Sequence, residues 1–197
     1  MIFDYNYQLN LSKIQNISNL KNLQILDFGC GKGMWSNNSL KNSKLKKIIL
    51  YDNNKKLSGY LKDKYKNKKI KIVFDLNKIK KEDYNLILFS SVIQYIPKTK
   101  LFKLLNKLLN NKKGRNILIV DIPFLPRPLE FVLMPFFNPI RFIFVLKLLF
   151  LKEYKKINYY TYSKSDFYFL KKKFYLKFTA NIHDLPFLRY SLYLKLK

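Results

Sequence analysis

The residues best placed to do chemistry lie in one short run, Ile25-Leu26-Asp27-Phe28-Gly29-Cys30-Gly31-Lys32-Gly33. Glycines at 29, 31 and 33 allow a tight turn and let a ligand approach the backbone closely. A helix expected after Gly33 would offer unpaired N–H groups and the positive end of its dipole. Asp52 ends the next apolar run, where a carboxylate can accept both hydroxyls of a ribose. The glycines are spaced G-x-G-x-G, unlike the G-x-G-x-x-G of dinucleotide sites. Asp27 also stands just before the first glycine. A carboxylate there repels a pyrophosphate and suits a cationic ligand carrying an ammonium. Asp75 ends a third apolar run. The spacing describes a nucleoside site in a βαβ unit.

The elements that must hold these residues follow from hydrophobic periodicity. Strands are expected at 24–28, 47–51, 70–74, 84–90 and 115–121. Residues 55–66 set Leu57, Leu61 and Tyr65 at helical spacing, and 98–110 carry a full apolar helical face through Leu101, Leu104, Leu105 and Leu108. Residues 163–170 read as a short helix capped by Ser163 or Ser165. Residues 174–180 and 190–196 alternate as two last strands. This order predicts an α/β fold: a Rossmann-like three-layer αβα sandwich, its seven-stranded sheet mostly parallel with an antiparallel last strand. Ligands in such sheets sit outside the carboxyl ends of the strands, at the switch in strand order. Those ends carry Asp27 to Gly33, Asp52, Asp75, Ser90 with Ser91, and Asp121.

Composition bounds the rest. A chain of 197 residues suits a single domain, 1–197. Its apolar fraction of 48% excludes wholesale disorder. One cysteine, Cys30, excludes a disulfide scaffold or thiolate zinc cluster, and one histidine, His183, argues against a metal site. The net charge of +27 invites a nucleic-acid partner. Yet only Arg115, Arg127, Arg141 and Arg189 are arginines, and Ala180 is the sole alanine. Much of the lysine excess is therefore read as codon bias on solvated faces. No basic segment with an apolar core opens the chain, and no apolar run reaches spanning length, so the expected compartment is the cytoplasm.

With these residues in register, the chain resembles the class I S-adenosylmethionine-dependent methyltransferases, in particular the small-molecule group with methyltransferase-11-like motifs. The likeness covers residues 23–121 and is weaker over 162–197. It implies that Asp27, Gly29, Cys30, Gly31 and Gly33 cradle the methionine part of S-adenosylmethionine. Asp52, with Asn53 beside it, would bind the ribose hydroxyls. Asp75 and the Leu76 backbone would meet the adenine, and Ser90 would line the cofactor. In the stretch Ser90-Ser91-Val92-Ile93-Gln94-Tyr95-Ile96, Gln94 or Tyr95 would face the acceptor. The chain departs from the family pattern in three places. Few residues precede the first motif, with Tyr5 and Tyr7 the obvious aromatics there. Asn37, Asn38 and Ser39 are poor helix formers. Lys173-Phe174 stands where a Gly-Phe pair is usual.

The implied reaction is methyl transfer, in which a general base is needed only if the attacking atom must lose a proton. His183 is the first candidate, as the one side chain titrating near neutrality, and a loop histidine bonded to a carbonyl is its plainer role. Asp121 and Asp184 are weaker candidates. Five of seven prolines fall between Pro123 and Pro139, among many phenylalanines, marking an insertion or lid at about 123–156. Its stretch 129–151 is expected either to complete the core or to dock peripherally on anionic lipid at the inner face of the membrane. The acceptor is therefore a small molecule, a glycan or a lipid-linked compound, with RNA on the basic surface as the alternative.

Overall fold

The computed structural model describes residues 22–33, 45–79, 82–109, 116–125, 159–180 and 189–197, with 132, 133, 135, 136 and 143 between them. Seven strands form one sheet: β1 (Leu23–Phe28), β2 (Leu45–Tyr51), β3 (Ile70–Val73), β4 (Leu86–Ser90), β5 (Asn116–Pro123), β6 (Phe174–Ala180) and β7 (Arg189–Leu196). Their order is β3-β2-β1-β4-β5-β7-β6. Neighbours from β3 to β5 pair in parallel, and β7 runs antiparallel to both β5 and β6. The expected topology is therefore present, and the switch in strand order falls between β1 and β4.

The central strands read as nearly unbroken apolar runs because both of their faces are covered. On one face, Leu26, Phe28, Ile87, Phe89 and Ile117 pack with Leu101, Leu105 and Leu108 of helix α3 (Lys98–Leu109). Phe167 and Leu170, from the 3-10 segment Lys164–Lys172, join them. On the other face, Ile25, Ile48, Leu50, Leu88 and Val120 pack with Leu61 of helix α1 (Ser58–Lys64) and with Tyr65. Strand β6, at the sheet edge, alternates instead: Phe174 is buried while Tyr175 and Lys177 are not. A lysine on an edge strand also discourages pairing with another chain.

Boundaries differ from expectation in a few places. Residues 55–57 form a 3-10 turn before α1, with Asn54 capping Lys56 N, so the helix read over 55–66 is shorter. A one-turn helix α2 (Leu76–Ile79) follows β3 and was not expected. The helix read over 163–170 is a 3-10 segment, and Ser163 is its cap. Ser163 accepts from Asp166 N while the Asp166 side chain accepts from Ser163 N. Strand β5 continues past Asp121 to Pro123, reaching the first residue of the stretch read as an insertion. Tyr84 precedes β4 rather than opening it. The helix expected after Gly33 and residues 1–21 lie outside the described residues. Among the described residues no helix is long and apolar enough to cross a membrane.

Candidate functional site

The chain leaves β1 through a turn hung on the end of β2. Gly29 N and Cys30 N both donate to Tyr51 O, at 2.8 and 3.0 Å, and Gly33 N donates to Cys30 O at 2.8 Å. All three glycines have positive φ, at 75°, 54° and 63° for Gly29, Gly31 and Gly33. Space around them differs. A Cβ on Gly29 would lie 2.8 Å from both methyls of Val92, and one on Gly33 would lie 2.9 Å from the Tyr65 hydroxyl oxygen. Among the described residues a Cβ on Gly31 would meet nothing within 4 Å. Gly29 and Gly33 are thus demanded by the protein's own packing, and Gly31 borders open space where a ligand can reach the backbone.

The predicted carboxylates stand at three successive strand ends, Asp27 on β1, Asp52 after β2 and Asp75 after β3. Asp52 is nearly buried and ties the glycine turn to the segment leading into α1. Its Oδ2 accepts from Gly31 N at 2.9 Å and its Oδ1 from Asn54 N at 2.8 Å. Each oxygen keeps a further lone pair. Asp27 is fully buried beneath the turn. Burial pushes the Cys30 thiol far up, and the neighbouring charges of Asp27 and Asp52 push it the same way. Cys30 therefore stays a protonated filler in the core rather than a nucleophile. Asp75 is exposed and caps α2, its Oδ1 accepting from Asn77 N at 2.9 Å, while Leu76 packs partly into the core. Asn53 is exposed beside Asp52. Among the described residues no group of three His, Cys, Asp or Glu can hold a metal ion.

Solved structures share this fold along nearly the whole chain. Magnesium protoporphyrin IX methyltransferase from Synechocystis, solved with bound SAH, matches at a TM-score of 0.61 and 13% identity, over 95% of this chain and 80% of that one. The methyltransferase domain of bacterial CtHen1 matches at 0.65 and 14%, over 96% and 98%. An S-adenosylmethionine-dependent methyltransferase from Clostridium acetobutylicum matches at 0.63 and 14%, over 98% and 93%. The fold is that of the class I methyltransferases. No protein-family model and no curated protein matches the chain.

In this class I fold the second half of the sheet contributes its own polar groups. Ser90 ends β4, half-buried. Gln94 and Tyr95 follow in the 3-10 turn Ile93–Tyr95 and part company. Tyr95 is 49% exposed, whereas Gln94 is 3% exposed and its Oε1 has no hydrogen-bond partner among the described residues. An orphaned buried carbonyl costs about 1–3 kcal/mol. His183 and Asp184 lie outside the described residues, as do most of 123–156. Within that stretch Val132, Phe136 and Ile143 are described and exposed, Phe136 to 81%.

Sequence reasoning missed the network between β4, β5 and β7. Ser91 and Asp121 both have positive φ, 54° and 66°, without being glycine. Their side chains meet: Ser91 Oγ donates to Asp121 Oδ2 at 2.6 Å. Arg189 Nη1 donates to the same oxygen at 2.7 Å, and its Nη2 donates to the Tyr159 hydroxyl at 2.8 Å. Asp121 is 1% exposed and Arg189 is buried. A bulge makes room for this, with Val120 and Asp121 together opposing Ser191. Tyr160 N, next along, donates to Gln94 O at 2.8 Å. The network and the Gln94 turn thus meet at Tyr159 and Tyr160. Sequence offers only a faint signal for it, a polar residue at the ends of β4 and β5 and a rare arginine opening β7.

Proposed function

We propose that the protein is an S-adenosylmethionine-dependent methyltransferase acting on a small-molecule, glycan or lipid-linked acceptor. The observation that carries this is the joint at Asp52: one carboxylate holds the glycine turn at Gly31 N and retains lone pairs for a ribose diol, beside open space over Gly31. Asp27 and Asp75, at the flanking strand ends, suit the ammonium and the adenine amino group. Gly29, Cys30 and Gly33 shape the turn, Asn53 and the Leu76 backbone flank the nucleoside, and Ser90 floors the methionine end. When bound, S-adenosylmethionine supplies a methyl group already activated on its sulfonium. The chain's work is to orient the two partners and exclude water. Gln94, Tyr95 and His183 are the acceptor-side candidates, with His183 taking a proton where the chemistry requires one.

Calorimetry tests the cofactor. The wild-type protein is expected to bind S-adenosylmethionine, and Asp52→Ala to weaken binding at least about tenfold, the loss of one or two charge-assisted hydrogen bonds. Absence of binding by the wild type would remove the assignment.

The exposed Val132, Phe136 and Ile143 support docking of 129–151 on the inner face of the membrane by a cytoplasmic protein with a lid at about 123–156. A second reading, RNA as acceptor, draws on the charge of +27 and on rings such as Tyr60, with Lys32 and Lys64 Nζ at 5.9 and 5.3 Å from its centroid. RNA binding that falls steeply with salt would favour it.

A further inference from the structure

We infer that Ser91, held by Asp121 and Arg189, meets the methyl acceptor, and that it selects an acceptor whose attacking atom is a hydroxyl or amine carrying a proton rather than a carboxylate. This rests on the methyltransferase reading. Two observations lead to it. Ser91 directly follows Ser90 at the carboxyl end of β4, next to the switch in strand order, and it is only half-buried, so its hydroxyl can be reached. Its proton is already committed, because a carboxylate oxygen only accepts and Asp121 Oδ2 sits 2.6 Å away. What Ser91 Oγ can still offer a ligand is a lone pair.

A corner that presents an acceptor selects a donor. A hydroxyl or amine that donates a hydrogen bond to Ser91 Oγ keeps a lone pair free to attack the methyl carbon; as that bond forms the carbon–sulfur bond breaks, the thioether leaves, and the acceptor's proton is lost to water. A carboxylate finds no donor in Ser91 Oγ, whose one proton is held by Asp121. Arg189 pairs with Asp121 and Tyr159 and is only 7% exposed, so its guanidinium is buried rather than presented to a ligand. The geometry is held at some cost, since Ser91 and Asp121 both sit in the left-handed region, a pattern that gathers at functional sites.

Glycine suits the φ of Ser91, so Ser91→Gly removes the hydroxyl without straining the backbone. The test incubates the wild type and Ser91→Gly with methyl-labelled S-adenosylmethionine and extract of the source cells, then treats labelled fractions with mild alkali. Label from the wild type is expected to survive alkali, as ethers and methylamines do. Ser91→Gly is expected to bind S-adenosylmethionine as the wild type does and to stay folded at the assay temperature, melting a few degrees lower because the buried Asp121 carboxylate loses one donor. Its transfer of label should fall at least about tenfold. Release of the wild-type label as methanol, the mark of a methyl ester, would overturn the inference. So would full transfer by Ser91→Gly, a loss of transfer matched by an equal loss of S-adenosylmethionine binding, or a wild type that binds S-adenosylmethionine and labels nothing. Failure of the wild type to bind S-adenosylmethionine would instead sink the underlying reading.

Discussion

At the ends of β1 and β2 a carboxylate is held by backbone N–H groups: Asp52 takes Gly31 N and Asn54 N, partners 21 and 2 residues away. At the ends of β4 and β5 the carboxylate is held by side chains: Asp121 takes Ser91 Oγ and Arg189 Nη1, across 30 and 68 residues. The first arrangement leaves the glycine turn open above Gly31. The second is a closed ion pair, with Arg189 7% and Asp121 1% exposed. A backbone-built site tolerates many neighbours and suits a ligand shared across a fold. A side-chain-built site belongs to one sequence, and that is where choice of acceptor should reside.

The sharpest way to break this contrast is Arg189→Ala. It strands the Asp121 carboxylate in the interior, and breaking a buried pair in this way costs about 4 kcal/mol. For a chain of this size the melting temperature should drop by roughly 10 °C. Denaturant unfolding measures it. A loss below about 1 kcal/mol would mean that the pair is hydrated and that the two ends of the sheet are held alike.

Next come the glycines of the turn. Gly29→Ala forces a Cβ to 2.8 Å from both Val92 methyls at a φ of 75°, and Val92, branched at Cβ, has little freedom to turn aside. A cost of about 2 kcal/mol is expected, from the conformation plus the clash. Gly31→Ala carries only the conformational part, about 1 kcal/mol. It should nonetheless weaken S-adenosylmethionine at least about tenfold, because the new methyl occupies the open space over the turn. Thermal melts and calorimetry together separate the two. Equal effects of both variants on both readouts would deny that the turn divides into a packed side and a ligand side.

Legibility in the sequence divides along the same line. The order of elements, the sheet and the strand-end carboxylates are all visible, because local patterns make them: glycines after an apolar run, a carboxylate at the end of the next. The network around Asp121 is invisible for the opposite reason. Its members are an ordinary serine, an aspartate, a tyrosine and an arginine, and only the return of β7 beside β5 brings them together. The left-handed φ of Ser91 and Asp121 is equally unreadable, since neither is glycine. Gln94 and Tyr95 share a motif, yet a one-turn 3-10 segment buries one and exposes the other.

The smallest expected effect lies at the opposite, amino end of the sheet, where Glu82 clips β2 to β3. Its Oε2 meets Lys47 Nζ at 2.9 Å and its Oε1 meets Lys71 Nζ. Burial alone would raise the Glu82 carboxyl, but hydrogen bonds from Lys71 and Lys47 and their charges outweigh it and hold the group below its ordinary 4.5. A carboxyl depressed in the folded state adds stability above its unfolded value and loses it as pH falls through the folded one. The contribution is therefore complete at neutral pH and fades below about pH 4.5. Both lysines are partly exposed, at 33% and 53%, so water and salt screen the pair and its worth stays under about 1 kcal/mol. Glu82→Gln should cost that little at pH 7, cost less still near pH ~3, and lose its effect in high salt. Chemical unfolding across that range measures the slope. A cost at pH 7 that matched Arg189→Ala and ignored salt would show this pair to be as sealed as the one at Asp121, and the contrast between screened and closed ion pairs would fail.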